Sequence, residues 1–149
     1  MKFAAASVAV LLLAFVTVSY AISCQDPRPF IDGWVTGADN TQCVALVKEM
    51  CGSLGLYNTT TWVRGRKVRD YCTSIQRWTA IATFLRPGNK YKGHAAIFES
   101  CTSNGIWVYD QWVAHPVQRR KIWYGNTREP NYDADNFYTI EYPEAHASG

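Results

Sequence analysis

One cysteine stands at the start of a segment with helical periodicity. Apolar residues recur at helical spacing after Cys43, and the pattern predicts a helix that begins near Asn40 and ends near Gly52 or Gly55. A thiol in the first turn of a helix faces unsatisfied backbone N–H groups and the positive end of the helix dipole, which both favour the thiolate. Because the thiolate is the attacking species in covalent catalysis, Cys43 is a candidate nucleophile, with a disulfide or a core position as the alternative.

A cysteine nucleophile needs a base, and the sequence holds three histidines. His146 lies in the C-terminal tail, and His115 precedes a proline at the end of a predicted strand. His94 follows Gly93 and begins a predicted strand, so its ring would project from the edge of a rigid element. His94 is therefore the preferred candidate for the base.

A carboxylate lies within reach of His94 if two predicted strands form a hairpin. Alternating apolar residues predict strands over 94–100 and 106–113, joined by a turn with an Asn-Gly signal. A turn centred near residue 102 places Asp110 directly across from His94, on the same face of the sheet. Asp110 would then hold the tautomer of the imidazole, and Gln111 would take this role if the register differed by one residue.

The remaining elements complete an α+β order, with helices first and antiparallel strands after them. Residues 22–40 are rich in Pro, Gly and Asp and predict an irregular lead-in. The pattern predicts a second helix over about 73–85 and further strands over 117–124 and 136–142.

The N-terminal segment differs in composition from the rest of the 149 residues. A short basic start, an apolar stretch and small residues before a cleavage site after Ala21 predict a secretory signal peptide at 1–21 rather than a membrane span. Its removal leaves 128 residues, which we expect to form a single domain over 22–149, and lowers the formal net charge of +3 by the one cation of Lys2. This mildly basic charge argues against a nucleic-acid partner. We therefore expect a secreted, extracellular monomer without a membrane span.

Export changes the interpretation of the cysteines. In an oxidising compartment thiols tend to pair, and an odd count leaves one cysteine over. The chain has five cysteines, Cys24, Cys43, Cys51, Cys72 and Cys101. If Cys43 is the free one, the other four form two disulfides.

Four segments together resemble a known family of enzymes. They are QCVALVK at 42–48, TAIATF at 79–84, GHAAIF at 93–98 and GIWVYDQW at 105–112. They occur in the order seen in the NlpC/P60-like and CHAP-like amidases, papain-like cysteine peptidases that cut peptidoglycan. The chain is most similar to the type VI secretion amidase effectors and, among secreted animal proteins, to the domesticated amidase effectors of ticks.

This resemblance implies a papain-like NlpC/P60 fold of the α+β class, with N-terminal helices packed on an antiparallel sheet. It implies Cys43 as nucleophile, His94 as general base and Asp110 as orienting acid, with no cofactor and no metal. The expected partner is bacterial peptidoglycan, cut at the crosslink that contains D-alanine, in antibacterial defence by a protein acquired through gene transfer. Residues 36–41 form a longer approach to Cys43 than the bacterial relatives have, so no side chain of the oxyanion hole is assigned.

Further assignments follow from the resemblance and from short motifs. Trp34, Gln111 and Trp112 adjoin the catalytic segments and are expected to bind substrate. Asn58-Thr59-Thr60 is a glycosylation sequon.

In a papain-like fold, a disulfide joining Cys51 to Cys72 would clamp two neighbouring helices and leave Cys24 to pair with Cys101. The other two pairings remain open.

Two rival functions remain open as well. One is a non-catalytic secreted module that binds cell walls or glycans, in which all five cysteines are structural. The other is a cysteine peptidase that acts on proteins.

Overall fold

A computed structural model describes residues 21–143. The predicted signal peptide lies outside this range except for Ala21, and His146 lies outside it as well. The described elements are α1 (Cys43–Met50), β1 (Val63–Lys67), β2 (Thr79–Thr83), β3 (Ala95–Thr102), β4 (Gly105–Trp112), β5 (His115–Trp123) and β6 (Phe137–Glu141). Short 3-10 helices span Arg28–Phe30, Leu54–Leu56, Thr59–Thr61, Pro130–Tyr132 and Ala134–Asn136. None of the helices formed by residues 21–143 has the length and apolar character needed to span a bilayer.

The strands form one antiparallel sheet in the order β1-β6-β2-β3-β4-β5. Helix α1 packs across β3 and β4 on one face and buries Leu46, Val47 and Met50 there. A second apolar cluster covers the opposite face, formed by Val68, Ile81, Ala96, Phe98, Ile106, Val108, Ile122, Ala134 and Phe137. The fold is therefore α+β with an antiparallel sheet, as the sequence predicts, and it has a core on each side of that sheet.

The predicted helix over 73–85 is wrong, because its second half forms strand β2 in the middle of the sheet. All five residues of β2 are buried, since β3 and β6 flank the strand and apolar clusters cover both of its faces. A short run that is apolar on every side does not distinguish a buried helix from a buried strand. The expected pair of N-terminal helices is thus one α-helix among the described residues.

The basic segment 63–67 forms an edge strand that the sequence pattern does not predict. β1 pairs with β6, and its register shifts between Arg64 and Lys67. Arg64 lies over the ring of Tyr138, at 4.6 Å from its centroid. Cations and a register shift on an edge strand oppose pairing with other chains, which explains a strand of such polar composition.

The disulfides join Cys24 to Cys51 and Cys72 to Cys101, so the favoured pairing is wrong although the number of bonds is confirmed. Cys24 and Cys51 lie with the core on the α1 side of the sheet, whereas Cys72 and Cys101 lie with the core on the other side. A bond from Cys51 to Cys72 would have to cross the sheet. Cys43 is free, as predicted.

Candidate active site

Helix α1 begins at Cys43 and presents its thiol half-buried at the helix N-terminus. Ala45, Leu46 and Val47 are fully buried beneath it, which fixes the helix against the sheet. The N–H of Ala45 donates to the carbonyl of Gln42 at 3.0 Å, whereas the N–H groups of Cys43 and Val44 are among those that a helix leaves without an acceptor of its own. The structure thus confirms the placement that the sequence predicts for this cysteine.

The start of α1 is held by Gln111, which the sequence analysis assigns to substrate binding. Gln111 is fully buried, and its Nε2 donates to the carbonyl of Val35 at 2.7 Å and to that of Gln42 at 3.2 Å. Its Oε1 accepts from the N–H of Val35 at 2.8 Å. This amide is occupied by backbone groups on the α1 side of the sheet, so neither the substrate-binding assignment nor the alternative role beside His94 is correct.

His94 directly precedes β3, and Thr83 of β2 fixes its backbone. The Oγ1 of Thr83 accepts from the N–H of His94 at 2.9 Å, and the N–H of Thr83 donates to the carbonyl of His94 at the same distance. Gly93 has φ +114°, and a Cβ there would collide with Thr83. The Gly-His pair is therefore a backbone requirement as well as a sequence signal, and Thr83 is a positioning residue that sequence reasoning missed.

The imidazole of His94 contacts both the nucleophile and the acid. Its Nε2 donates to Oδ2 of Asp110 at 2.7 Å, and both side chains are buried. The ring also interacts with the thiol of Cys43, lowering the pKa of the thiol and raising its own pKa. The structure thus brings together the three residues that the resemblance implies as nucleophile, base and orienting acid.

Strands β3 and β4 pair in a register that differs from the predicted one, yet they still bring His94 and Asp110 together. Ile97 pairs with Tyr109, and continuing that register places Asp110 across from Ala96 rather than His94. His94 is then two residues along the strand on the same face, where a diagonal neighbour remains within reach. A difference of two residues preserves the face, whereas a difference of one would have moved Asp110 to the other side.

Cys43 and His94 shift each other's pKa in opposite directions. Burial alone raises the pKa of the thiol, but the interaction with His94, the charge of that ring, the N–H of Ala95 and the hydroxyl of Tyr91 bring the thiol pKa below its ordinary value. Burial alone lowers the pKa of His94, but hydrogen bonds with Asp110 and Cys43 and their charges raise it to about 9. Both shifts favour a thiolate paired with an imidazolium, and the two apparent pKa values belong to the pair.

Asp110 has a second partner, Arg120 of β5. Arg120 donates from Nε to Oδ1 at 2.9 Å and from Nη2 to Oδ2 at 2.6 Å. Burial alone raises the pKa of Asp110, but the hydrogen bonds from Arg120 and His94 lower it, so the carboxylate stays ionised. Arg120 lies on the predicted strand, but its role depends on the register and was not assigned from the sequence.

Aromatic rings surround the buried imidazole of His94. Tyr132 and Trp112 lie 5.0 and 6.2 Å from its ring, centroid to centroid, and both rings also line a cavity of about 400 Å³ beside Arg120. Trp34 is half-exposed, and its Nε1 donates to the carbonyl of Trp112 at 3.0 Å. Trp34 and Trp112 are thus adjacent, as expected of two residues at a cleft, and Tyr132 was not foreseen.

The sequon residue Asn58 lies on the surface, away from this cleft. Its side chain is exposed, and its Oδ1 accepts from the N–H of Thr60 at 3.1 Å. Glycosylation of Asn58 stays a prediction.

Comparison with known proteins gives matches that cover most of the chain. The family model of domesticated amidase effector 2 matches residues 13–140. A protein of Ixodes scapularis named domesticated amidase effector 2 is 62% identical over 141 residues, which are 95% of this chain and 99% of that protein. A protein of Salmonella typhi named type VI secretion amidase effector 2 protein is 35% identical over 88 residues, which are 54% of this chain and 63% of that protein.

A solved structure has a similar fold. The structure named type 6 secretion amidase effector 2 aligns with a TM-score of 0.63 at 26% sequence identity. The alignment covers 80% of this chain and 94% of that one. The sheet and helix described above therefore correspond to an architecture known from experiment.

Proposed function

Since the chain belongs to the domesticated amidase effector 2 family, we propose that it is a cysteine amidase that hydrolyses peptide bonds in bacterial peptidoglycan. The family match confirms the resemblance of its motifs to the amidase effectors. The names of these relatives support an amidase. The observation that supports the mechanism most directly is the buried hydrogen bond of His94 with Asp110, together with the opposite pKa shifts by which His94 and Cys43 act on each other.

The proposed reaction proceeds through a thioester. The thiolate of Cys43 attacks the amide carbon, a C–S bond forms, and the electron pair of the carbonyl moves onto its oxygen. When that pair returns, the C–N bond breaks and the leaving amine takes the proton of His94. His94, now neutral, removes a proton from water, and the resulting hydroxide attacks the thioester and releases the acid and the thiolate.

The proposal extends to fold family, substrate and location. The helix with its N-terminal cysteine and the sheet carrying His94 and Asp110 support a papain-like NlpC/P60 fold. The substrate bond we propose is the crosslink that contains D-alanine, held in the cleft beside Trp34 and Trp112. Two disulfides are typical of an oxidising compartment and support secretion to the cell exterior, where the enzyme would act against bacteria.

Digestion of purified peptidoglycan tests this function. Mass spectrometry of the released fragments is expected to show new amine and carboxyl ends at the crosslink, and none with Cys43→Ala. A denatured protein offered as substrate is expected to stay intact. Binding to the wall without new ends would support the non-catalytic module, and cleavage of the protein substrate would support a general peptidase.

The rate of hydrolysis is expected to follow a bell-shaped dependence on pH. Activity rises as Cys43 loses its proton, at a pH below the ordinary thiol value because His94 lowers its pKa. It falls above pH of about 9, where His94 loses the proton that the leaving amine requires. Measurement of kcat/KM on a soluble crosslinked peptide from pH 4 to about 11 checks both limbs. A rate that still rises beyond the upper limb would contradict protonation by His94.

Thiol titration is expected to find one reactive cysteine in the native protein. Cys43 is the free thiol among the described residues, while the other four cysteines lie in disulfides. Its lowered pKa predicts rapid alkylation at neutral pH, at which an ordinary thiol reacts slowly. Peptide mapping after alkylation identifies the site. Labelling elsewhere, or no labelling before denaturation, would argue against a catalytic thiolate.

A further inference from the structure

One tyrosine points at the nucleophile and has no part in the mechanism so far. Tyr91 lies between β2 and β3, three residues before His94. Its hydroxyl is 3.7 Å from the Sγ of Cys43. It is therefore the side-chain hydroxyl that the structure places against the reacting sulfur.

The ring of Tyr91 is held from two sides, which fixes the direction of its hydroxyl. It meets the fully buried Trp62 edge-on at 5.1 Å between centroids, and Phe84 at 6.5 Å. Burial and the charge of Cys43 raise the pKa of Tyr91, so the hydroxyl keeps its proton over the working range of the enzyme. Tyr91 is thus a preorganised hydrogen-bond donor at a fixed position beside the sulfur.

The position of the donor matters because of where negative charge develops. Attack by the thiolate converts the carbonyl oxygen into an oxyanion on the carbon that the sulfur has just bonded. This oxygen then lies within about 3 Å of Sγ, and donors that stabilise such an oxyanion sit about 3 Å from it. A hydroxyl 3.7 Å from the sulfur can reach that oxygen without displacing either partner.

On this geometry, we propose that Tyr91 is a catalytic residue that donates its hydroxyl proton in a hydrogen bond to the oxyanion, together with the backbone N–H of Cys43. The proposal rests on the amidase function above. In the resting enzyme the hydroxyl of Tyr91 hydrogen-bonds the sulfur, and together with His94 and the N–H of Ala95 it lowers the pKa of the thiol. When the oxyanion forms beside the sulfur, the same hydroxyl can turn to the more strongly charged oxygen, so its hydrogen bond strengthens in the transition state.

Tyr91→Phe separates this role from an effect on the thiolate, because the ring is kept and one hydroxyl is removed. Alkylation of Cys43 by iodoacetamide displaces iodide and forms no oxyanion. A peptide aldehyde forms a tetrahedral thiohemiacetal whose oxygen occupies the oxyanion position. Because the hydroxyl of Tyr91 also lowers the pKa of the thiol, we expect the midpoint of alkylation to move modestly to higher pH, while the alkylation rate of the thiolate stays within about twofold of wild type. We expect a loss of about a hundredfold in kcat and in aldehyde affinity, with KM nearly unchanged.

Tyr138→Phe is the matched control. Its ring packs against Phe84 at 6.3 Å in the same aromatic cluster, so the variant removes a hydroxyl from that cluster away from Cys43. All measurements on Tyr138→Phe are expected to match wild type. Alkylation of Tyr91→Phe at the wild-type rate also reports that its site is folded.

Two outcomes overturn the proposal. Wild-type hydrolysis and aldehyde affinity in Tyr91→Phe would remove the hydroxyl from the reaction. Alkylation slowed as much as hydrolysis, with its midpoint moved to higher pH, would assign Tyr91 to the thiolate instead. Either result leaves the cysteine amidase mechanism intact, whereas hydrolysis by Cys43→Ala would overturn that mechanism, and loss of all hydrolysis by the wild-type protein would overturn the amidase function itself.

Discussion

Cys43→Ala and His94→Ala are each expected to reduce peptidoglycan hydrolysis by at least about a thousandfold. The first removes the atom that forms the thioester, and the second removes the group that ionises the thiol and protonates the leaving amine. Their effects should not add, because each residue acts only through the other. Release of soluble fragments from purified wall, followed against time, measures both variants and the double variant.

His115→Ala provides the matched control for the histidine. Both imidazoles contact Trp112, at 6.2 Å for His94 and 4.4 Å for His115, but the contacts with Cys43 and Asp110 belong to His94. We expect His115→Ala to change the rate by no more than a few-fold. The free energy of unfolding of Cys43→Ala should lie within about 1 kcal/mol of the wild-type value, because the thiol is only half-buried at the N-terminal end of α1. Hydrolysis by a folded Cys43→Ala would refute the mechanism.

Asp110→Asn is expected to lower kcat by about a hundred- to a thousandfold, less than the loss of Cys43 or His94. The amide keeps the shape but not the charge, so His94 is less well oriented and its pKa falls. The upper limb of the pH profile should therefore move to lower pH, which a simple loss of stability would not produce. Arg120 loses its carboxylate partner, and because it is partly exposed we expect a cost of about 2 kcal/mol in the free energy of unfolding.

Glu99→Gln separates the chemical effect from the structural one. Glu99 is also a nearly buried carboxylate paired with arginine: Arg119 donates from Nε at 3.0 Å and from Nη2 at 2.6 Å, and Arg77 donates to Oε1 at 3.2 Å. It does not touch His94, so this variant should lose comparable stability while the midpoint of its upper pH limb stays at the wild-type value. Measurement of urea unfolding and pH profiles for both variants decides between the roles. Equal pH profiles for Asp110→Asn and wild type would remove Asp110 from the catalytic set.

The parts of the fold that the sequence predicts correctly are those with local signals. Helix α1 follows from its apolar spacing, and the β3–β4 hairpin follows from alternation and an Asn-Gly turn, so Cys43 and His94 could be placed on their elements. Strand β2 could not, because its burial depends on neighbours that are distant in sequence. The disulfide pairing fails for the same reason, since it depends on which side of the sheet each cysteine takes.

The finer features of the site depend on three-dimensional packing that sequence patterns do not carry. Asp110 was placed beside His94 although the register was wrong by two residues, because the face of a strand repeats every two residues. Arg120, Thr83 and Tyr91 carry no motif, and their contacts arise from strand pairing and loop closure. Gln111 was misassigned because adjacency in sequence to Asp110 implies the opposite face of the same strand.

The core on the α1 side of the sheet contains several alanines. Ala80, Ala82 and Ala95 belong to it, and all three are fully buried. Small side chains let a helix approach a sheet closely, so the methyl group of Ala95, on the strand against which α1 packs, helps to set the spacing between the thiol on the helix and the imidazole beside the sheet. Positions without any reactive group can therefore be as intolerant of change as the catalytic ones. A single added methylene beneath α1 would lower the rate of hydrolysis without unfolding the protein.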